Sequence, residues 1–74
     1  MRPDDLRDHL ERRPFQPFRV HLSSGVFFEI RHPQMAHVGR STLEVALPLE
    51  ADMQRFAVLD LVRVVWLEVL LPTP

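Results

Sequence analysis

The sequence predicts a mainly β domain with one N-terminal helix, in which five short antiparallel strands close into a small barrel. A charged segment with helical spacing opens the chain, runs of alternating apolar and polar residues follow, and prolines and glycines separate those runs. A chain of 74 residues is long enough for one domain with a single small core. We therefore treat residues 1–74 as one domain, with a helix at 3–13, a barrel at 18–71 and a tail at 72–74.

The helix is predicted over residues 3–13. Pro3 suits the first turn because the N–H that it lacks would have no partner there. Leu6 and Leu10 lie four residues apart and form a narrow apolar stripe. Pro14 then ends the helix. A helix this short is marginal on its own in water, so the leucine stripe is expected to rest on the β part of the domain.

The first hairpin is the strongest local signal in the chain. Residues 18–22 and 26–30 alternate apolar and polar side chains, and a short turn ending in Gly25 separates them. Glycine adopts the left-handed conformation that closes such turns. A slip of one residue would bury the charges and expose the phenylalanines, so the register is well specified. That register gives the inner pairs Phe18–Ile30 and Val20–Phe28 and the outer pair Arg19–Glu29.

Three more strands are predicted after residues 31–41, a segment that breaks the alternation. Pro33 cannot donate to a central strand ladder, and Gly39 marks a turn or a bulge. Residues 48–54 are predicted to be a polar loop, and residues 60–63 a single tight helical turn. The three strands are expected at 42–47, 55–59 and 64–69.

This order of elements is that of a small five-stranded antiparallel barrel of the SH3-like or Sm-like kind. A short helix ending in Leu10–Arg13, a hairpin that includes Val20–Gly25, and three further strands resemble in layout the Sm-like family that includes the bacterial RNA chaperone Hfq. The resemblance implies RNA binding. The chain departs from that family at Asp60–Arg63, where the family carries a Lys-His pair that binds uridine.

A second resemblance is carried by short motifs. They are Pro-Phe-Gln-Pro-Phe-Arg at Pro14–Arg19, the hairpin glycine Gly25, and Arg-His-Pro at Arg31–Pro33. In these motifs the chain is similar to a group of short bacterial proteins of uncharacterised function. The resemblance therefore implies no particular activity.

Composition narrows the classes of function. The chain has no cysteine, which excludes a disulfide framework and a thiolate metal site. The apolar run 56–71 carries three charged residues and is shorter than the roughly 20 residues of a membrane span, so no membrane partner is expected. The first fourteen residues are mostly charged and do not resemble a signal peptide, so we expect a cytoplasmic protein.

Arg31, His32, His37 and Arg40 are the first candidate binding residues. Together with Gly39 they would form an anion-binding lip, because glycine lets the backbone approach a bound anion. The alternative is a solvated excursion between two strands. The histidines have no cysteine or carboxylate at ligand spacing, so we expect no metal site and no cofactor.

Phe27 and Trp66 are the second group of candidates. Strand parity places both on the outer face of their strands. Exposed aromatic side chains of this kind usually belong to a contact surface. The alternative is a second small core in which these rings pack with Leu6, Leu10 and Phe15.

These observations favour a non-enzymatic small β-barrel that acts by protein contact. No serine or threonine has a convincing base and orienting acid, and we identify no small-molecule substrate. The expected partner is a second copy of the chain, bound through exposed strand edges, or another protein. A role as an accessory subunit for another protein remains open. The alternative is an Sm-like RNA-binding protein that uses the arginines of residues 31–40; with a net charge of −1, nucleic acid is the less favoured partner.

Overall fold

The computed structural model describes residues 1–72. Within them it contains one helix, six strands and two short 3₁₀ turns. Residues 73–74 of the predicted tail lie outside the described residues. The elements are α1 (Pro3–Glu11), β1 (Phe18–Leu22), β2 (Phe27–Ile30), a 3₁₀ turn (Pro33–Met35), β3 (Ala36–Val38), β4 (Thr42–Glu50), β5 (Met53–Asp60), a second 3₁₀ turn (Leu61–Arg63) and β6 (Val64–Val69).

The strands form two separate antiparallel sheets of three strands each. The first sheet has the order β2-β1-β6 and the second the order β3-β4-β5. Among residues 1–72 neither sheet closes, so the prediction of a five-stranded SH3-like or Sm-like barrel is wrong. The break lies after Ile30, the end of β2. Pro33 opens the first 3₁₀ turn there, and because proline has no N–H it cannot extend β2 toward β3 as a ladder strand.

The register of the first hairpin is confirmed. Val20 pairs with Phe28 and Arg19 with Glu29, as the alternation predicts. Gly25 closes the turn with a φ of 93°, and its N–H donates to the carbonyl of Leu22 at 3.0 Å. The inner pairs therefore face the core and the charged pair faces outward.

The predicted loop at 48–54 is wrong, because β4 and β5 continue through most of it. Pro48 lies within β4, where the register with β5 shifts between Leu47 and Glu50. Such a bulge tolerates proline because the ladder is already interrupted there. The side-chain amide of Gln54 donates to the carbonyl of Leu47 at 3.0 Å, which satisfies an acceptor beside the bulge.

The distal part of the β4–β5 hairpin has only two strands. Strand β3 pairs with β4 only from Val45 to Leu43, so the hairpin has no third strand from Ala46 outward within the described chain. We call residues 46–56 the hairpin arm. Ala51 at its tip has a φ of 54°, a left-handed conformation that is strained for a residue with a side chain.

The core lies between the two sheets and beneath α1. The helix ends at Glu11, two residues before the predicted end, because Arg13 precedes Pro14 and the residue before a proline disfavours helical backbone. Leu6 is fully buried and Leu10 packs at the edge of the core, as the leucine stripe predicts. The buried residues are Leu6, Phe18, Val20, Ile30, Val38, Leu43, Val45, Leu61 and Val64.

Replacing Val20 by aspartate should unfold the domain. Val20 is 0% exposed, and an unpaired carboxylate in the core costs several kcal/mol, a large share of the stability of so small a domain. The matched change Val62→Asp, at a site that is 86% exposed, should alter the free energy of unfolding by less than about 0.5 kcal/mol. Urea unfolding followed by circular dichroism measures both. Equal midpoints for the two variants would contradict the assignment of Val20 to the core.

Candidate functional site

Three aromatic side chains form a row across the outer face of the first sheet. His21 in β1 is paired with Phe27 in β2 and with Trp66 in β6. The rings of His21 and Trp66 are stacked, with centroids 4.0 Å apart and an angle of 7° between the planes. The rings of His21 and Phe27 lie 5.4 Å apart. We call Phe27, His21 and Trp66 the aromatic row.

Alternation along β6 positions the tryptophan of this row. Leu67 pairs with Val20 and packs against the core, so its neighbour Trp66 faces outward beside His21. Toward the start of β6 the pairing with β1 shifts register between His21 and Leu22. As a result Val64 is buried, and Val65, which simple alternation would place on the inner face with Leu67, is exposed. Phe27 and Trp66 are about half exposed, whereas Leu6, Leu10 and Phe15 belong to or pack against the main core, so the alternative of a second small core is not what the structure shows.

A charged row lies next to the aromatic row on the same face. It consists of Glu29, Arg19 and Glu68, which are strand partners. The Nε of Arg19 donates to Glu29 Oε1 at 2.9 Å, and Nη1 of Arg19 lies 3.6 Å from Glu68 Oε1. Arg31 extends the row, with Nη2 2.8 Å from Glu29 Oε2. Glu29 thus has a guanidinium on each of its oxygens.

The two rows are joined by diagonal contacts. The Nε2 of His21 is hydrogen-bonded to Glu68 Oε1 at 2.9 Å, and the guanidinium of Arg19 lies 4.8 Å from the centre of the Phe27 ring. The hydrogen bond from Arg19, together with the positive charges of Arg31 and Arg19, lowers the pKa of Glu29 against the opposing effect of burial. The same hydrogen bond raises the pKa of Arg19. These shifts show that the ionised pair is the favoured state.

A cavity of about 580 Å³ opens at the end of the charged row. Two chain segments, residues 14–17 and 70–72, form its walls, and Arg19, Glu29 and Arg31 provide its charged side chains. The N–H of Leu70 donates to the carbonyl of Pro17 at 2.8 Å, which joins the two walls. Apolar walls with a few convergent polar groups are the usual setting of a ligand site.

The outer face of the second sheet is apolar at the middle of its edge strand, β5, between Gln54 and Asp60. Phe56 and Val58 of β5 are each 63% exposed. They are paired with Ala46 and Glu44 of β4, so they share one face. Met53 and Leu49 at the tip of the arm are also exposed. Phe56 and Val58 therefore form a continuous apolar strip on β5.

The residues predicted to form an anion-binding lip lie on different elements. Arg31 extends the charged row and lines the cavity. His32 is exposed just before the first 3₁₀ turn. His37 is on β3, opposite Glu44 in the second sheet. Arg40 is exposed in the connection to β4, next to Gly39.

Sequence reasoning missed His21 and Glu68, which complete the outer face of the first sheet. The pairing of β1 with β6 brings Glu68 to His21 and Arg19, although His21 and Glu68 are 47 positions apart. Local alternation cannot reveal which strand lies on the second side of β1. The sequence contains one indication of this pairing. Trp66 and Glu68 share a face of β6, just as His21 and Arg19 share a face of β1.

Neither a metal site, nor a membrane-spanning helix, nor a related protein points to a function for the described part of this chain. Within residues 1–72, no group of three or more histidine or acidic side chains is placed to hold a metal ion. None of the helices in that part of the chain has the length and apolar character needed to cross a membrane. Comparisons with family models, curated proteins and solved structures returned no match for this chain.

The ion pairs of Glu29 should make stability depend on pH. Because the pKa of Glu29 is lowered in the folded state from 4.5, its contribution is present above that value and is lost as the pH falls through the folded pKa. Urea unfolding between about pH 7 and pH 3 measures the loss. Glu29→Gln should reduce it, whereas Glu44→Gln in the other sheet serves as the matched control. A Glu29→Gln variant with the full acid dependence of the wild type would contradict this account.

Proposed function

We propose that this protein is a non-enzymatic interaction module that assembles with a second copy of itself through strand β5. The observation that carries the proposal is the apolar strip of Phe56 and Val58 on an edge strand. The non-enzymatic part rests on the sequence, in which no hydroxyl has a paired base and orienting acid. We also propose a cytoplasmic location for this module.

The middle of the outer face of β5, between Gln54 and Asp60, carries no charged side chain that would oppose pairing. In the described part of the chain, β5 is hydrogen-bonded only to β4, so one side of its backbone has no strand partner. Edge strands are commonly protected by proline, a bulge or charges on the exposed face. Here Pro48 and the bulged residues lie on β4, the inner strand of the hairpin, and the exposed face of β5 carries Phe56 and Val58.

Antiparallel pairing of two β5 strands would join the second sheets of two copies. Such a contact has two-fold symmetry, because the same surface is used on both sides. It would cover Phe56 and Val58 of both chains and pair backbone groups that otherwise face solvent. It would also support the hairpin arm, because a two-stranded hairpin is only marginally stable without further packing.

Lysine at position 56 should prevent this assembly. The wild type is expected to have a mass above 8.7 kDa at micromolar concentration by light scattering after gel filtration. Phe56→Lys places a charge at the centre of the proposed contact without entering the core, so it should run as a monomer. Val62→Lys, an apolar-to-lysine change at an exposed site in the second 3₁₀ turn, should keep the wild-type mass. A wild type that is monomeric at every accessible concentration would refute the proposal.

RNA binding is the second candidate function, and the exposed guanidinium groups of Arg31 and Arg40 are the observation that favours it. Affinity for RNA depends on counterion release and grows with the number of basic contacts. Arg31 is already paired with Glu29 at 2.8 Å, and the chain has a net charge of −1. We therefore expect little binding at physiological salt.

Fluorescence anisotropy with a labelled single-stranded RNA, at about 50 and 200 mM salt, tests this expectation. Wild type should show no tight complex at the higher salt. The result that would make RNA binding the leading candidate function is tight, salt-sensitive binding by the wild type. That binding would have to disappear in Arg31→Ala/Arg40→Ala and survive in the control Arg2→Ala/Arg12→Ala.

A further inference from the structure

We propose that the cavity beside the charged row binds an organic monocarboxylate, with the carboxylate held by Arg31 and the apolar body held between the two walls. The ligand class is a single carboxylate on an apolar or aromatic body. It could be a small acid or the free C-terminus of a peptide, which present the same chemistry. This site is separate from β5 and does not depend on self-assembly.

Arg31 has donors left for a ligand. Its Nη2 is 2.8 Å from Glu29 Oε2, and its side chain is 63% exposed at the cavity. A guanidinium carries five N–H donors in a fixed fork, and a carboxylate accepts two of them side by side. Glu29 orients the fork by binding it from one side. Arg19 is held between Glu29 and Glu68, so the contact with a ligand is left to Arg31.

The free donors of the cavity favour a monoanion. Its lining contains two guanidinium groups, Arg19 and Arg31, and one carboxylate, Glu29. Glu68 lies 3.6 Å from Arg19 outside the lining, so Glu29 and Glu68 together offset both guanidinium groups. The guanidinium donors left for an anion belong to Arg31. One guanidinium fork matches one carboxylate, whereas a phosphate dianion would need a second free cation.

The walls favour an organic ligand over an inorganic anion. Phe15 and Leu70 present apolar side chains to the cavity. Pro14 and Pro17 restrict the backbone of one wall, and the hydrogen bond from Leu70 to Pro17 at 2.8 Å fixes the other wall to it. The cavity is therefore preformed, and its volume of about 580 Å³ lies in the range of small-molecule sites.

The first test is a titration of ¹⁵N-labelled protein with 4-phenylbutyrate, followed by amide chemical shifts. The variant Phe56→Lys serves as the background, so that failure of the proposed assembly cannot mask or mimic binding. Saturable shifts are expected in residues 15–19, 29–31 and 70–71, and none in residues 42–60. The uncharged 4-phenylbutanamide should give no saturable shifts. Equal responses to acid and amide, or no response to the acid, would overturn the proposal.

Arg31→Gln tests the role of the guanidinium. Loss of a charged hydrogen-bonding partner should weaken binding of 4-phenylbutyrate by about tenfold or more. The exposed position of Arg31 keeps the fold intact, which the spectrum of the variant verifies. Arg55→Gln, the same change on β5 and outside the cavity lining, should bind like the background protein. Unchanged affinity in Arg31→Gln would overturn the proposal.

A titration with peptides identifies whether the carboxylate belongs to a protein C-terminus or to a small acid. An acetylated hexapeptide ending in phenylalanine is titrated with a free and with an amidated C-terminus. Tighter binding of the free peptide than of 4-phenylbutyrate, at the same residues, supports the site and assigns it to a protein C-terminus. Binding of the small acid alone supports the site and assigns it to a metabolite. Equal binding of the free and amidated peptides would contradict recognition of the carboxylate.

Discussion

The arrangement of the first sheet depends on the backbone pairing of β1 with strands on both of its sides. Strand β1 is hydrogen-bonded to β2 and to β6, so it fixes the position of the chain's two halves relative to each other. Alternation along β1 then divides its side chains. Val20 enters the core, while Arg19 and His21 become the centres of the two rows on the outer face. A slip in either pairing would displace core and surface together.

The separation of the two sheets explains why the molecule offers two different surfaces. The outer face of the first sheet carries the aromatic row and the charged row, in which every charge has a partner, and a preformed cavity adjoins Arg31. The second sheet ends in a strand that exposes two apolar side chains, Phe56 and Val58, at the middle of its outer face. Charge and shape on the first suit a small charged ligand, and the open backbone edge of the second suits another strand. The two proposed activities therefore use separate parts of the chain.

The helix and the first hairpin could be predicted because they depend on neighbouring residues. Their signals are the Leu6 stripe and the alternation around Gly25. The division into two sheets could not be predicted from the sequence. Strand β3 has only three residues, which are too few to show an alternating pattern. Pro48 was misleading for a related reason: proline usually indicates a loop, but here it lies within a bulge in a long strand. The candidate site was predicted in part, since Glu68 joins it through a strand pairing that crosses most of the sequence.

The stacking of His21 on Trp66 gives the molecule an internal optical reporter. Trp66 is the single tryptophan of the chain, and one face of its indole is covered by an imidazole from another strand at a centroid distance of 4.0 Å. Ring contact of this kind alters the emission of an indole, so separation of β6 from β1 changes the intrinsic fluorescence at one defined place. Circular dichroism instead averages over all strands. Comparing the two signals during unfolding thus distinguishes opening of the first sheet from loss of the whole fold.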